Sequence, residues 1–184
     1  VAPGAVVTID GKPIRDAEPT RLWRFHKPAG TLTTNRDPQG RQTIFDVLPA
    51  DLPRVLTVGR LDFNSEGLLL LTNDGDVARR LEHPKTGWRR RYRVRVHGTV
   101  DEDRLASLAR GITVEGVRFG PIDARLERQQ RANAWLSVSL SEGKNREVRR
   151  ICEHLGLQVT RLIRVSYGPF QLGNLARGEA IEVP

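Results

Sequence analysis

Val58-Gly59-Arg60-Leu61-Asp62-Phe63-Asn64-Ser65-Glu66-Gly67-Leu68-Leu69-Leu70-Leu71-Thr72 is the stretch on which the fold turns. From Gly67 to Thr72 the chain is almost unbroken apolar residue, which predicts a strand covered on both faces. Asn73-Asp74-Gly75 turns the chain, and Asp76 to His83 then forms a short helix that stops before Pro84. A strand buried on both sides needs neighbours, and the following sequence supplies them. Arg90 to Gly98 alternates: Tyr92, Val94 and Val96 share one face, while Arg91, Arg93, Arg95 and His97 share the other. Asp101 caps a helix with Leu105 and Leu108 turned inward and Gly111 as its stop. Residues 112–140 read as several short strands parted by Gly116, Gly120-Pro121 and residues 129–133. Asn145 caps a helix that runs to Leu155, with Val148, Ile151, Cys152 and Leu155 as its apolar stripe. Further strands follow at Val159 to Val165 and near Phe170. Strands outnumber helices without alternating regularly with them, so the fold class is α+β and not a doubly wound sheet.

Upstream, Ala5 to Ile14 alternates and then meets Asp10-Gly11, the signature of a hairpin. Residues 15–20 are polar and read as a linker. The domain division is therefore 1–20 as an appendage and 21–184 as the main unit. A length of 184 residues suits one well-buried domain with a small addition. No apolar run approaches the roughly 20 residues that cross a bilayer, so no membrane is expected. The formal charge is +8, carried mainly by arginine, whose planar donor fork suits phosphates and base edges. Cys152 is alone, which excludes a disulfide within the chain and a cysteine-based zinc cluster. The four histidines lack metal-ligand spacing, so no metal is expected, and a reducing cytoplasm fits best. The sequence has no methionine, so the expectation is a trimmed N-terminus.

Four segments bear chemistry. Asp62 stands in a glycine-initiated segment before the buried strand; local chemistry favours a loop carboxylate capping Asn64 or Ser65 over a catalytic one. Arg146, Arg149 and Arg150 lie at i, i+3 and i+4 on the predicted helix, which is either a phosphate-binding face or a solvated one. Trp88 to Val96 threads arginines around Trp88 and Tyr92, suited to stacking on unpaired RNA bases, although Tyr92 shares its face with valines and fits a core position. Thr160 to Phe170 reads as a core strand with an exposed basic edge. No P-loop, dinucleotide fingerprint or nucleophile elbow is present. A glycosidase needs two placed carboxylates, and nothing pairs Asp62 with a second.

In order along the chain, these segments resemble motifs of the RsuA/RluB-type RNA pseudouridine synthases. His26-Lys27-Pro28-Ala29-Gly30 resembles the first motif, Val58 to Leu70 the second, Arg91-Tyr92-Arg93-Val94 the tyrosine motif, and Glu142 to Arg150 the third. Asn145 to Arg150, Arg161 to Val165 and Gly168 resemble the large-subunit branch, and residues 4–14 the last strands of an S4 RNA-binding domain. The resemblance spans about Trp23 to Val183. It implies a mixed, largely antiparallel sheet around an RNA cleft, and a monomeric isomerase of ribosomal RNA that needs no cofactor. It also implies site roles: Asp62 as nucleophile or as base in a glycal route, Arg149 as its ion-pair partner, and Tyr92 stacked on the target base. Leu162 becomes the apolar wall, Arg60 a holder of the flipped nucleotide, and Lys27, Lys144, Arg146 and Arg150 RNA contacts. Two alternatives stand beside it: a non-catalytic RNA-binding or ribosome-assembly protein, and a hydrolase using Asp62. A small-subunit RNA target is a further variant of the first reading.

Overall fold

The computed structural model describes residues 18–34 and 37–184, and the backbone of two N-terminal strands, β1 (Val7–Ile9) and β2 (Lys12–Ile14), which pair antiparallel. The hairpin expected there is thus present in backbone pairing; its Asp10-Gly11 turn and residues 15–17 of the linker lie outside the described residues.

The main unit runs β3 (Leu22–Lys27), α1 (Ile44–Val47), β4 (Leu56–Val58), β5 (Ser65–Thr72), α2 (Gly75–Glu82), β6 (Arg90–His97), α3 (Glu102–Ser107), β7 (Ile112–Val114), β8 (Val117–Phe119), β9 (Ile122–Gln130), β10 (Asn133–Leu140), α4 (Glu147–His154), β11 (Gln158–Tyr167), β12 (Phe170–Gln171) and β13 (Ala180–Glu182). The central sheet has the order β13-β3-β5-β11-β6-β10-β9, with β4 on β5 and β12 on β11. Every pairing in it is antiparallel except β5 with β11, so the sheet is mixed and largely antiparallel, as expected. Among the described residues no helix is long and apolar enough to cross a membrane.

Every residue of β5 is buried, and its alternating leucines enter two separate cores. Leu69 and Leu71 join Trp23, Phe25, Ile44 and Leu61 on one side. Leu68 and Leu70 join Ala78, Ile163 and Tyr167 on the other. The third core packs α3, the turn that follows it and α4, through Leu105, Leu108, Val148, Ile151 and Cys152, against Val94, Val96, Leu136 and Val138. Asp74 and Asp101 cap α2 and α3 by accepting from backbone N–H groups of their first turns.

Two local expectations need correction. β11 has no exposed basic edge: it lies between β5 and β6, and Arg164 is only 4% exposed. Its Nε donates to the Leu68 carbonyl, while Arg161 pairs in bidentate fashion with buried Glu66. Asn145 does not cap α4. The chain reaches the helix through Arg146, held in the left-handed region at φ 51°, and regular helix begins at Glu147.

Candidate active site

The geometry begins with a pinned loop. Leu61 is buried in the core, so the next side chain, Asp62, points the other way, into a cleft. The Asp62 carbonyl accepts from Ser65 N at 2.9 Å, which closes the turn into β5. Gly30 N donates to the Phe63 carbonyl, and Gly59 N to Glu82. Lys27 is fully buried and its Nζ donates to the carbonyls of Pro28, Phe63 and Ser65. Burial, the dominant cause, lowers its pKa to about 8 against the opposing fields of Asp62 and Glu66. Lys27 is therefore a clip beneath the Asp62 loop; full burial corrects the expectation that it touches RNA.

Opposite that loop stands the start of α4. Arg146 Nη1 lies 3.3 Å from Asp62 Oδ2, and Arg149 Nε lies 3.8 Å from the same oxygen. The expected partner is present, but the nearer cation is Arg146. The reason is its positive φ: Arg146 is not on the helix face with Arg149 and Arg150, but turns back over the cleft. A non-glycine residue there costs about 1–2 kcal/mol, and such strain concentrates at functional sites. Burial holds the Arg149 guanidinium below its ordinary pKa, with the Arg146 charge acting the same way and Asp62 opposing. Its Nη2 donates to Ser65 Oγ at 3.3 Å, while its Nε is buried without a hydrogen-bond partner. The Asp62 side chain keeps 35% of its exposure, so the carboxylate is open to the cleft.

Tyr92 and Leu162 complete the cleft wall. Both are on adjacent strands, each facing inward by strand alternation, and Tyr92 sits directly across from Arg164. Tyr92 is partly packed on the core and partly open to the cleft. Arg60 is exposed at the rim of the cleft. Lys144 lines the cleft, but its ammonium donates to the Arg118 carbonyl. Arg150 is a correction: its guanidinium lies 5.2 Å from the Phe119 ring, away from the cleft. Trp88 is also not a base platform, since it packs edge-on to Tyr167 and Phe170 at 5.5 and 5.8 Å.

Sequence reasoning missed Ser65, Arg90, Arg164, Glu142 and Glu147, all of which line the cleft. Alternation from Leu162 pointed to Arg164, and from Tyr92 to Arg90; nothing marked Ser65. The cleft encloses about 430 Å³, within the usual range for small-molecule sites of roughly 300–1,000 Å³. Its charged lining is mostly cationic, which draws a polyanion toward Asp62.

Two mutational outcomes follow. Arg149→Ala is expected to lower turnover about 100-fold and stability by roughly 1–3 kcal/mol, since Ser65 loses its donor in a buried place. Asp62, half-exposed and still facing Arg146, is not stranded by this change. A variant with full turnover would remove Arg149 from the site. The second concerns Glu147, which is buried with Oε2 lacking any donor. Burial first, and then the neighbouring Glu142 carboxylate, push its pKa up to about 7. A raised carboxyl pKa means that the folded chain keeps a proton the unfolded chain has released. Stability from this group is therefore greatest below about pH 4.5 and declines as pH rises toward 7. Glu147→Gln should flatten that decline in pH-resolved urea melts; an unchanged slope would contradict a protonated Glu147.

The family model for RNA pseudouridylate synthase matches residues 21–154. The chain belongs to the RNA pseudouridylate synthase family. It is 48% identical over 167 residues to an uncharacterized RNA pseudouridine synthase of Rickettsia bellii, covering 91% of this chain and 72% of that one. It is 45% identical over 177 residues to ribosomal large subunit pseudouridine synthase B of Salmonella typhi, covering 94% of this chain and 61% of the relative. A crystal structure of a pseudouridylate synthase superposes with a TM-score of 0.78 at 28% identity, across 100% of this chain and 79% of that one.

Proposed function

We propose that the chain isomerises a uridine of large-subunit ribosomal RNA to pseudouridine, with Asp62 attacking or deprotonating the ribose of the flipped nucleotide. The observation that carries this is the convergence of Asp62, Arg146, Arg149, Tyr92 and Leu162 on one basic cleft in a chain whose relatives include ribosomal large subunit pseudouridine synthase B. The reaction frees uracil from C1′ and rejoins it through carbon, so the base must leave its stack and turn inside the cleft. Unstacking costs a few kcal/mol, offset by contacts to the extruded nucleotide. Arg146 and Arg149 pair with the Asp62 side chain and fix its direction in the cleft. Tyr92 stacks on the base against Leu162, and Arg60 meets the backbone at the rim. None of these roles draws on a cofactor or metal. We read residues 1–20 as the end of an S4-type appendage, on the paired β1 and β2 strands.

The test is incubation of the protein with transcribed large-subunit ribosomal RNA, followed by pseudouridine mapping. A product of unchanged mass at a discrete uridine supports the reading. Cleaved RNA favours a hydrolase, and binding without modification favours an assembly protein. The Tyr92 hydroxyl has no hydrogen-bond partner among the described residues, so Tyr92→Phe should leave fold and RNA affinity intact. Turnover should fall about 10²-fold if that hydroxyl moves a proton; full activity would restrict Tyr92 to stacking.

A further inference from the structure

The arginines of β6 that alternate away from Tyr92, Val94 and Val96 take no part in the cleft. They lie on the opposite face of the sheet, because α3 and α4 pack through Val94, Val96, Leu136 and Val138. Strand register sets these outward residues in rows. Arg128, Trp135, Arg95 and Arg161 stand side by side across β9, β10, β6 and β11. The next row places Arg125, Ser137 and Arg93 in line.

The acids on this face are unequally shared. Arg93 pairs with Glu127 at 3.2 Å, Arg125 with Asp123 at 3.2 Å, and Arg161 with Glu66 at 2.9 Å. Arg95 and Arg128, one on either side of Trp135, have no carboxylate partner among the described residues. Arg95 is instead steadied by Thr160, to which its Nε donates at 3.0 Å. The Trp135 ring lies under two guanidiniums, 4.5 Å from that of Arg93 and 5.9 Å from that of Arg95. Arg95, Arg128 and Trp135, with Gln130, Asn133 and Thr160, line a shallow groove of about 430 Å³.

We propose that this outward face is a second RNA-binding surface, which holds a single-stranded segment of the substrate RNA lying away from the target uridine. Arg95 and Arg128 are two strand spacings apart, roughly 10 Å, with an aromatic ring between them. That arrangement offers phosphate donors on both sides of a stacking platform, as a single strand requires. Polar Gln130, Asn133 and Thr160 at the groove edges can meet sugar hydroxyls and base edges without selecting a sequence. An acidic peptide would use the same cations but has no need of the ring.

The inference rests on the proposed RNA substrate, and the experiment separates the two. Wild type and the double variant Arg95→Gln/Arg128→Gln are compared on transcribed large-subunit ribosomal RNA and on a short hairpin cut from it around the modified uridine. The variant should bind the long RNA about tenfold more weakly at ~0.1 M salt, with a salt slope shallower by roughly 1.4, or ~0.7 for each lost contact to a single strand. Its turnover and affinity on the hairpin should match wild type, and its melting temperature should be unchanged. Undiminished affinity for the long RNA overturns the proposal, as does an equal loss on both RNAs. Failure of the wild type to modify either RNA would instead overturn the proposed function.

Discussion

Asp62→Asn is expected to reduce pseudouridine formation by on the order of 10⁴-fold or more, the scale on which enzymes lose a nucleophile. Fold and RNA affinity should stay close to wild type. The loop that presents residue 62 is held through its backbone and through its neighbours: Ser65 N on the Asp62 carbonyl, Gly30 N on Phe63, and Lys27 beneath. The carboxylate itself receives one long hydrogen bond, from Arg146 at 3.3 Å. Asparagine fills the same space, keeps an acceptor oxygen, and removes one negative charge from a cleft meant for a polyanion. RNA affinity should therefore hold or rise slightly. Single-turnover assays with tritium release or pseudouridine mapping read the first quantity, and filter binding the second. Retained turnover would end the claim that Asp62 does the chemistry. Lost RNA binding would make it a structural residue.

Gly67→Ala should be the most damaging change of a single methyl group. Gly67 has φ +107°, and a Cβ there would meet the Arg164 carbonyl oxygen at 2.2 Å and its nitrogen at 2.7 Å. Both obstacles are backbone, so no side chain can swing aside. Relief requires parting β5 from β11 where Gly67 faces Arg164, in the one parallel pairing of the sheet. A loss of about 3–5 kcal/mol follows from the clash and the left-handed backbone together. For a chain of this size that lowers the melting temperature by roughly 10 °C or more. Activity should fall with it even below the melting point, because β11 carries Leu162 and aligns β6, which carries Tyr92. A melting temperature within about 2 °C of wild type would show that the two strands are less tightly joined than the structure shows.

The contrast between Arg149 and Arg146 shows how much of the site could be read in advance. The ion pair of Arg149 with Asp62 was legible through motif resemblance, since sequence spacing says nothing about which residues meet across 87 positions. Helical periodicity then grouped Arg146 with Arg149 and Arg150, and this was wrong. Periodicity assumes that each residue is helical, whereas Arg146 is left-handed and Arg150 turns to Phe119. Lys27 failed for another reason. Lysine in a basic chain is ordinarily solvated, and only the three converging carbonyls make its full burial tolerable. Trp88 beside arginines resembled a stacking platform, while Tyr167 and Phe170, far along the chain, claim its ring.

What the sequence by itself determined is local: the leucine run of β5, the two-sided alternation of β6, the aspartate caps of α2 and α3, the fold class, and the family. Each depends on periods of two or 3.6 residues, on capping chemistry, or on contiguous motifs, all of which are written along the chain. What only the tertiary structure decided is which distant groups meet. The parallel join of β5 to β11 brings Ser65 beside Leu162, and the left-handed entry to α4 turns Arg146 onto Asp62. The sheet register sets Arg128, Trp135 and Arg95 in one row. These juxtapositions arise from strand pairing and burial between segments tens of residues apart, for which a linear pattern carries no signal.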